Sequence, residues 1–342
     1  GGHQGRTFLP GDCLEIEICD IDIDGFKTGY ELPTGLIPKF DNEEVVVRMI
    51  SGPHDTADIA SEKGLETVYS HAYKVNFNSN RGAIRLDGPA FDFSRQDGGD
   101  GGGHPSNILE YPYPCCGLST VGSILVLFGV DGATLSGFTC ISVPCEVDFR
   151  RFGQASVNGT IKFKLISYDD AIRLLKLRLK FLEIASTRPT KVNDDLFSKY
   201  DELDSYEPIN SKLGSFLYRR EETEELPQVT FRQGGERMIL IDFGITKFSL
   251  FNNGRQHVFS MEIEKQLKGQ FNSIECSSGA MCVTFNPLKI EKAKLLKKLI
   301  DIEANISAIE KLKVPSRVFK LPVCFNHSAL DHCIKRYTHS QR

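Results

Sequence analysis

No run of about 18 apolar residues occurs anywhere in the 342 residues, so no helix is expected to span a membrane. Positive charge is not in excess: 41 Lys and Arg stand against 45 Asp and Glu, for a net charge of -4. A chain without a basic stripe cannot neutralise a phosphate backbone, which excludes a nucleic-acid partner. The patterns GxSxG, HExxH and GxGxxG are absent, and the enzyme classes that depend on them lose their support. The ten cysteines never form a CxxC, and two of them, Cys115 and Cys116, are adjacent. Dispersed cysteines without a signal segment read as reduced thiols in a cytoplasmic protein, with no disulfide framework and no metal site. The first residues, GGHQGR, contain neither methionine nor an apolar region, which points to a piece of a longer polypeptide and not to a secreted protein. No internal repeat stands out.

The residues that are present support two modules. A length of 342 and a hydrophobic fraction of 40% suffice for about two cores. From residue 1 to 185, short strand-like runs alternate with Gly, Pro and Asn breaks: CLEIEI, EEVVVRMI, AYKVNF, AIRL, SILVLF, TCISVP and TIKFKL. That spacing predicts a β-barrel or sandwich-like module, with a short helix over 58–70. Ser167, with Asp170 as capping partner, opens a helix striped by Ile172, Leu175, Leu179 and Leu182 that closes the module. Residues 186–227 are acidic, irregular and proline-bearing, and read as a linker. Residues 228–342 give strands at VTFRQ and MILIDF, a helix over 258–267, strands at SIECS and MCVTF, a helix over 289–312 and a last strand at RVFKLPVCF. The order β-α-β-β-α-β is that of a split ferredoxin-like unit, so the fold class is α+β.

The stretch from Asn76 to Asn107 is the most informative. Ile84 and Leu86 alternate with Arg85, which places Arg81 and Arg85 on one outward face. Five glycines fall between Asp97 and Gly103, before His104, Pro105, Ser106 and Asn107, in a loop able to bring backbone N–H groups close to a ligand. Arginines beside neutral hydrogen-bonders suit a small polar substrate carrying carboxylate or amide groups. His104 is either a general base or a backbone hydrogen-bonder. Asp131, between an apolar strand and a turn of small residues, is either a rigid carboxylate at a cleft edge or a turn former before Gly132. Other motifs fail on context. Asp20 to Glu31 fits the EF-hand loop, yet a strand precedes it and Pro33 follows, so an acidic surface loop is expected without calcium. Asp97 and Asp100 would repel a phosphate from the glycine run. Ser277, Ser278 and Gly279 read as a hairpin turn and not as an amidase signature.

NSNRGAIRL, DGGDGGGHPSN, DGATLSGF, GQASVNG, PQVTFRQGGERMILIDFG and SRVFKLPVCF follow one another in the order seen in the carboxyltransferase domain of urea carboxylase, the family that includes fungal urea amidolyase. The chain resembles that family over most of its length. It departs at Ala133, Thr134 and Ser136, where the family loop carries proline, serine and a double glycine, and at Gly82-Ala83. The resemblance implies a cyclophilin-like, barrel-shaped first module, a ferredoxin-like second one, and a chain that stops where the family continues into a second barrel completing the cleft; the isolated chain is therefore expected to be inactive. It implies biotin as cofactor, carboxylated on a carrier domain, with urea as acceptor and allophanate as product. Biotin carboxylase and biotin carboxyl carrier domains are the implied partners, with ATP used only in another domain of the full enzyme. By residue, it implies Asp131 and Arg81 in catalysis, and Asn78, Asn80, Arg85, His104, Ser106, Asn107 and Gly137 in binding urea or biotin. A 5-oxoprolinase-like subunit acting on a lactam and a non-catalytic binding relic of the same superfamily remain open alternatives.

Overall fold

The computed structural model describes residues 6–15, 31–33, 37, 44–96, 98–191, 215–224, 226–244, 249–306, 317–325 and 327–340. The chain divides into two units, Gly1–Phe40 with Leu174–Tyr206, and Asp41–Arg173 with Glu207–Arg342. The second unit contains both the barrel and the second sheet. Of the EF-hand-like loop only Glu31 is described, and most of the proposed linker, 192–214, lies outside the described residues.

The apolar run EVVVRMIS forms β1 (Glu44–Ser51). The other barrel strands are β2 (Ala72–Val75), β3 (Ala83–Asp87), β5 (Leu118–Val121), β6 (Ile124–Phe128), β8 (Cys140–Pro144) and β9 (Thr160–Leu165). They close in the order β1-β8-β5-β6-β3-β2-β9, and parallel pairing of β9 with β1 completes the ring. Closure leaves no free edge and turns one face of every strand inward. Val47, Met49, Leu118, Leu127, Ile141, Ile161 and Phe163 fill that interior. Arg48, between Val47 and Met49, lies on the opposite face and is still fully buried. Its Nε and Nη2 donate to the two carboxylate oxygens of Asp148 at 2.8 and 2.6 Å, and its backbone N–H donates to the same group at 2.8 Å. Outside the ring, β4 (Asn107–Pro112) pairs with β7 (Leu135–Phe138) as a separate ribbon.

Three helices accompany the barrel. Helix α1 (Glu62–Ser70) begins later than the predicted 58, because Ser61 caps it by accepting the Gly64 N–H at 2.9 Å. A single turn, α2 (Phe149–Phe152), follows β8. Helix α3 (Tyr168–Ser186) has the predicted cap: Ser167 Oγ accepts the Asp170 N–H at 3.0 Å. Its apolar stripe is buried at Leu175 but about half exposed at Leu179 and Leu182.

In the second module, β10 (Phe216–Arg220), β11 (Val229–Gly234), β12 (Met238–Asp242), β13 (Ser273–Cys276) and β14 (Ala280–Thr284) form an antiparallel sheet in the order β10-β11-β12-β14-β13. Helices α4 (Leu250–Gln266) and α5 (Lys292–Ala304) contribute Phe259, Ile263, Leu295 and Leu299 to the core formed with the sheet. The unit β12-α4-β13-β14-α5 keeps the ferredoxin-like neighbours β12, β14 and β13. The place beside β12 that a following strand would take is filled by β11, which precedes it through a tight hairpin. RVFKLPVCF therefore has no vacant edge there: residues 317–325 pair with no strand among the described residues, and Val318, Phe319 and Leu321 are exposed. Helix α6 (Ser328–Ser340) follows. Helix α4 starts eight residues before the predicted 258, capped by Ser249, whose Oγ accepts the Asn252 N–H at 3.3 Å. Arg255 on α4 and Glu303 on α5, both buried, clamp the helices through Nε and Nη2 bonds of 2.9 and 2.7 Å.

Candidate active site: a barrel rim and a cleft

The residues singled out in the sequence fall into two groups, at opposite ends of β6. At the Phe128 end, Arg81 pairs with Asp131 at 2.6 Å. Asn80 Oδ1 accepts the N–H groups of Gly82 and Ala83 at 2.8 and 3.2 Å, folding the turn before β3. Gly129 lets the two turns touch: a Cβ there would lie 2.0 Å from the Arg81 carbonyl oxygen, and its N–H donates to the Gly82 carbonyl at 3.0 Å. Asn78, in the turn before β3, and Arg85, on β3, are exposed. The rim thus presents two guanidiniums, two amides and a carboxylate to solvent.

At the Ile124 end sits the glycine-rich loop, about 13 Å away at the strand rise of ~3.3 Å per residue. His104 Nδ1 accepts the Ser106 N–H at 3.1 Å, which leaves its ring proton for Nε2, 3.5 Å from Ser123 Oγ; the ring packs edge-on against Phe93. Ser106 Oγ accepts the Gly122 N–H at 3.1 Å, and Asn107 Nδ2 donates to the Gly102 carbonyl at 2.8 Å. Gly137 on β7 lies against Ile108. These side chains hold the loop in shape. The glycines serve the same end: a Cβ on Gly99 would lie 1.7 Å from the Asn107 carbonyl oxygen, so the close approach expected toward a ligand is made to the loop's own backbone. Ser136 is likewise turned inward, buried, with Oγ accepting the Phe138 N–H at 3.2 Å.

Arg95 anchors this loop. It donates to the Pro105 carbonyl from Nε at 3.0 Å and Nη2 at 2.7 Å, and to Asp100 from Nη1 at 2.8 Å. It also lines a cleft of about 470 Å³ between the barrel and the second sheet, shared with His54, Tyr111, Arg219, Arg232 and Asp242. Arg232 on β11 donates from Nε to Asp242 at 2.6 Å and from Nη1 to the Pro53 carbonyl at 3.2 Å, tying the sheet to the barrel. His54 Nδ1 accepts the Cys140 N–H at 3.1 Å, and its ring meets Tyr111 edge-on. Burial, then the charges of Arg232 and Arg95, hold the His54 pKa well below the usual range, so the imidazole is neutral with its proton on Nε2. Beside it, burial raises the Asp55 pKa to about 7, although its Oδ1 accepts the Ser215 N–H at 3.0 Å. Guanidiniums and a neutral imidazole N–H around a small cavity suit carboxylate and ureido oxygens, which accept and do not donate. A second hollow, about 740 Å³ along α5, is lined by exposed lysines and lacks a comparable buried donor set. Among the described residues no cluster of His, Cys, Asp and Glu has the geometry to hold a metal ion.

The carboxyltransferase domain, subdomains A and B, matches residues 1–165, and its subdomains C and D match residues 229–333. The chain belongs to the carboxyltransferase domain family. Urea amidolyase of Saccharomyces cerevisiae is 30% identical over 346 residues, and the putative urea carboxylase of Emericella nidulans 30% over 358. Each alignment takes in all of this carboxyltransferase chain but only 18% and 28% of the relative. The crystal structure of Kluyveromyces lactis urea carboxylase superposes with a TM-score of 0.75 at 29% identity, over 89% of this chain and 26% of that one. The matched subdomains supply opposite walls of the cleft, His54, Arg95 and Tyr111 from the first and Arg232 and Asp242 from the second.

Proposed function

We propose that this chain is the carboxyltransferase segment of a cytoplasmic, biotin-dependent urea carboxylase, passing a carboxyl group to a urea nitrogen to give allophanate. The observation that carries the reading is the likeness to urea carboxylases, over the whole chain in sequence and over 89% of it in fold. Carboxybiotin, presented by a carrier domain and formed by an ATP-using biotin carboxylase domain, supplies the activated carboxyl group when bound. The reacting atoms must meet, so one site takes both reactants, and the rim fits them: the exposed guanidiniums of Arg81 and Arg85 and the amides of Asn78 and Asn80 match acceptor-only ureido and carboxylate oxygens, while His104, Ser106, Asn107 and Gly137 hold the glycine-rich loop at the other end of β6. The same rim donors orient the acceptor's carbonyl oxygen beside the carboxyl group. Asp131, paired with Arg81, accepts a hydrogen bond from the attacking amine and takes its proton. Holding both reactants in attack range, beside donors that oppose the developing charge, lowers the barrier.

The test replaces the matching segment of the Emericella nidulans relative with this chain and follows labelled urea. Urea-dependent allophanate, lost in Asp131→Asn, is expected. Turnover of a lactam in place of urea, or consumption of the carboxylated carrier without allophanate, would overturn the assignment.

A further inference from the structure

Cys115 and Cys116 occupy the central positions of the turn Pro114 to Gly117, closed by the Gly117 N–H donating to the Pro114 carbonyl at 3.1 Å. Cys116 has φ +62, a left-handed conformation that favours glycine and that other residues seldom adopt. It brings the two sulfurs to 3.7 Å, with Cys115 exposed and Cys116 buried beneath it. From the geometry we infer that the two cysteines are a reversible redox site, closed by a hydroperoxide into an eight-membered vicinal disulfide ring.

The contact between the two sulfurs lowers the Cys115 pKa, against burial and the charge of Glu146, and Cys115 is the sulfur that solvent reaches. Cys115 is therefore the attacking thiolate and Cys116 the resolving thiol. The Cys115 sulfur takes the terminal oxygen of the hydroperoxide, the O–O bond breaks, and an alcohol or water leaves. The Cys116 sulfur then displaces that oxygen, which departs as water with the Cys116 proton. Two thiols are oxidised and one peroxide bond is reduced. Adjacent Cα atoms lie about 3.8 Å apart, below the roughly 4.4–6.8 Å usual for disulfides, so the ring is strained and easily reduced, as suits a reversible site and not a structural bridge.

The experiment exposes the reduced full chain to hydrogen peroxide, alkylates the remaining thiols, and analyses the peptide containing both cysteines by mass. That peptide is expected to lose two hydrogens, take up no alkyl group, and regain two alkylation sites after dithiothreitol. Half-conversion should need about tenfold less peroxide than oxidation of the exposed Cys276. Phenylarsine oxide, which bridges paired thiols with loss of water, should protect both cysteines, and Cys115→Ser should abolish that protection. Double alkylation at peroxide levels that oxidise Cys276, recovery of Cys115 joined to another cysteine, or undiminished arsenical protection in Cys115→Ser would each overturn the assignment.

Discussion

At the barrel rim Arg81 and Asp131 pair at 2.6 Å with 87% and 49% of their side chains exposed, while in the cleft Arg232 and Asp242 pair at the same 2.6 Å with 11% and 3% exposed. Equal distances do not mean equal energies. Water screens the rim pair and can replace either partner, so the pair contributes little to stability and both groups stay available to a ligand. In the cleft each charge was taken out of water on folding, and removing one strands the other. The rim is a place where charges can change partners; the cleft is a place where they cannot.

The sharpest way to break this comparison is Arg232→Met. It leaves Asp242 buried and unpaired, with an expected loss of about 3–5 kcal/mol in urea unfolding. Adding Asp242→Asn should recover much of that loss; if Arg232→Met alone unfolds like the parent, the cleft pair is no more constrained than the rim pair.

Next in size is a pH effect at the contact between barrel and second sheet. Burial raises the Glu236 pKa to about 8, though its carboxylate accepts the Glu146 N–H at 2.8 Å, and Asp55 is raised in the same direction. A raised carboxyl pKa means the folded state keeps a proton that the unfolded chain has released. The stabilisation is thus full below the unfolded value near 4.5 and is lost as pH climbs toward 8. Unfolding midpoints should fall across that window, and Glu236→Gln should flatten the fall by roughly 2 kcal/mol at the alkaline end.

Ser106→Ala should cost about 1–2 kcal/mol, because the buried hydroxyl accepts the Gly122 N–H and anchors the glycine-rich loop. The smallest effect on stability belongs to Arg81→Ala, under about 1 kcal/mol by thermal melting. In the hybrid enzyme the same substitution is expected to lower allophanate formation about tenfold, the loss of one charged donor worth ~1.4 kcal/mol. A rim variant that melted early with unchanged turnover would reverse the contrast.

Much of the barrel was legible because β3 and β9 alternate apolar and polar residues as half-buried strands do, and β1 is a short apolar run bounded by breaks. Strands β4, β5 and β7 were not, since NILEYP, LSTV and LSGF bury polar residues such as Ser119, Thr120 and Ser136 and carry no clean period. The start of α4 was hidden because LFNNGRQH looks solvent-facing, yet Arg255 and Gln256 are buried, Arg255 bonded to Glu303 and Gln256 Nε2 donating to the Ser277 and Ala280 carbonyls. The rim was readable because its residues lie in two short segments flanking paired strands. The cleft was not, because its residues come from separate segments that only folding assembles. His54 follows Gly52 and Pro53, which break the apolar pattern of β1, and Arg95 stands just before the glycine run. The signal available was a histidine and an aspartate following a Gly-Pro at the end of an apolar strand.

The parallel pairing of β1 with β9 joins residues more than a hundred positions apart, from Glu44 with Thr160 to Met49 with Leu165. Such a seam closes late, because the loop entropy must be met before the contacts return anything, and a nascent chain carries an open β1 until Leu165 has been synthesised. A free edge reading VVVRMI invites pairing with other chains. Arg48, in the middle of that run, cannot be buried without Asp148, which lies 100 residues downstream. Until then its charge keeps the strand soluble; afterwards it becomes a fastener of the closed ring. One side chain thus guards the chain against aggregation during synthesis and locks the barrel once synthesis has passed it.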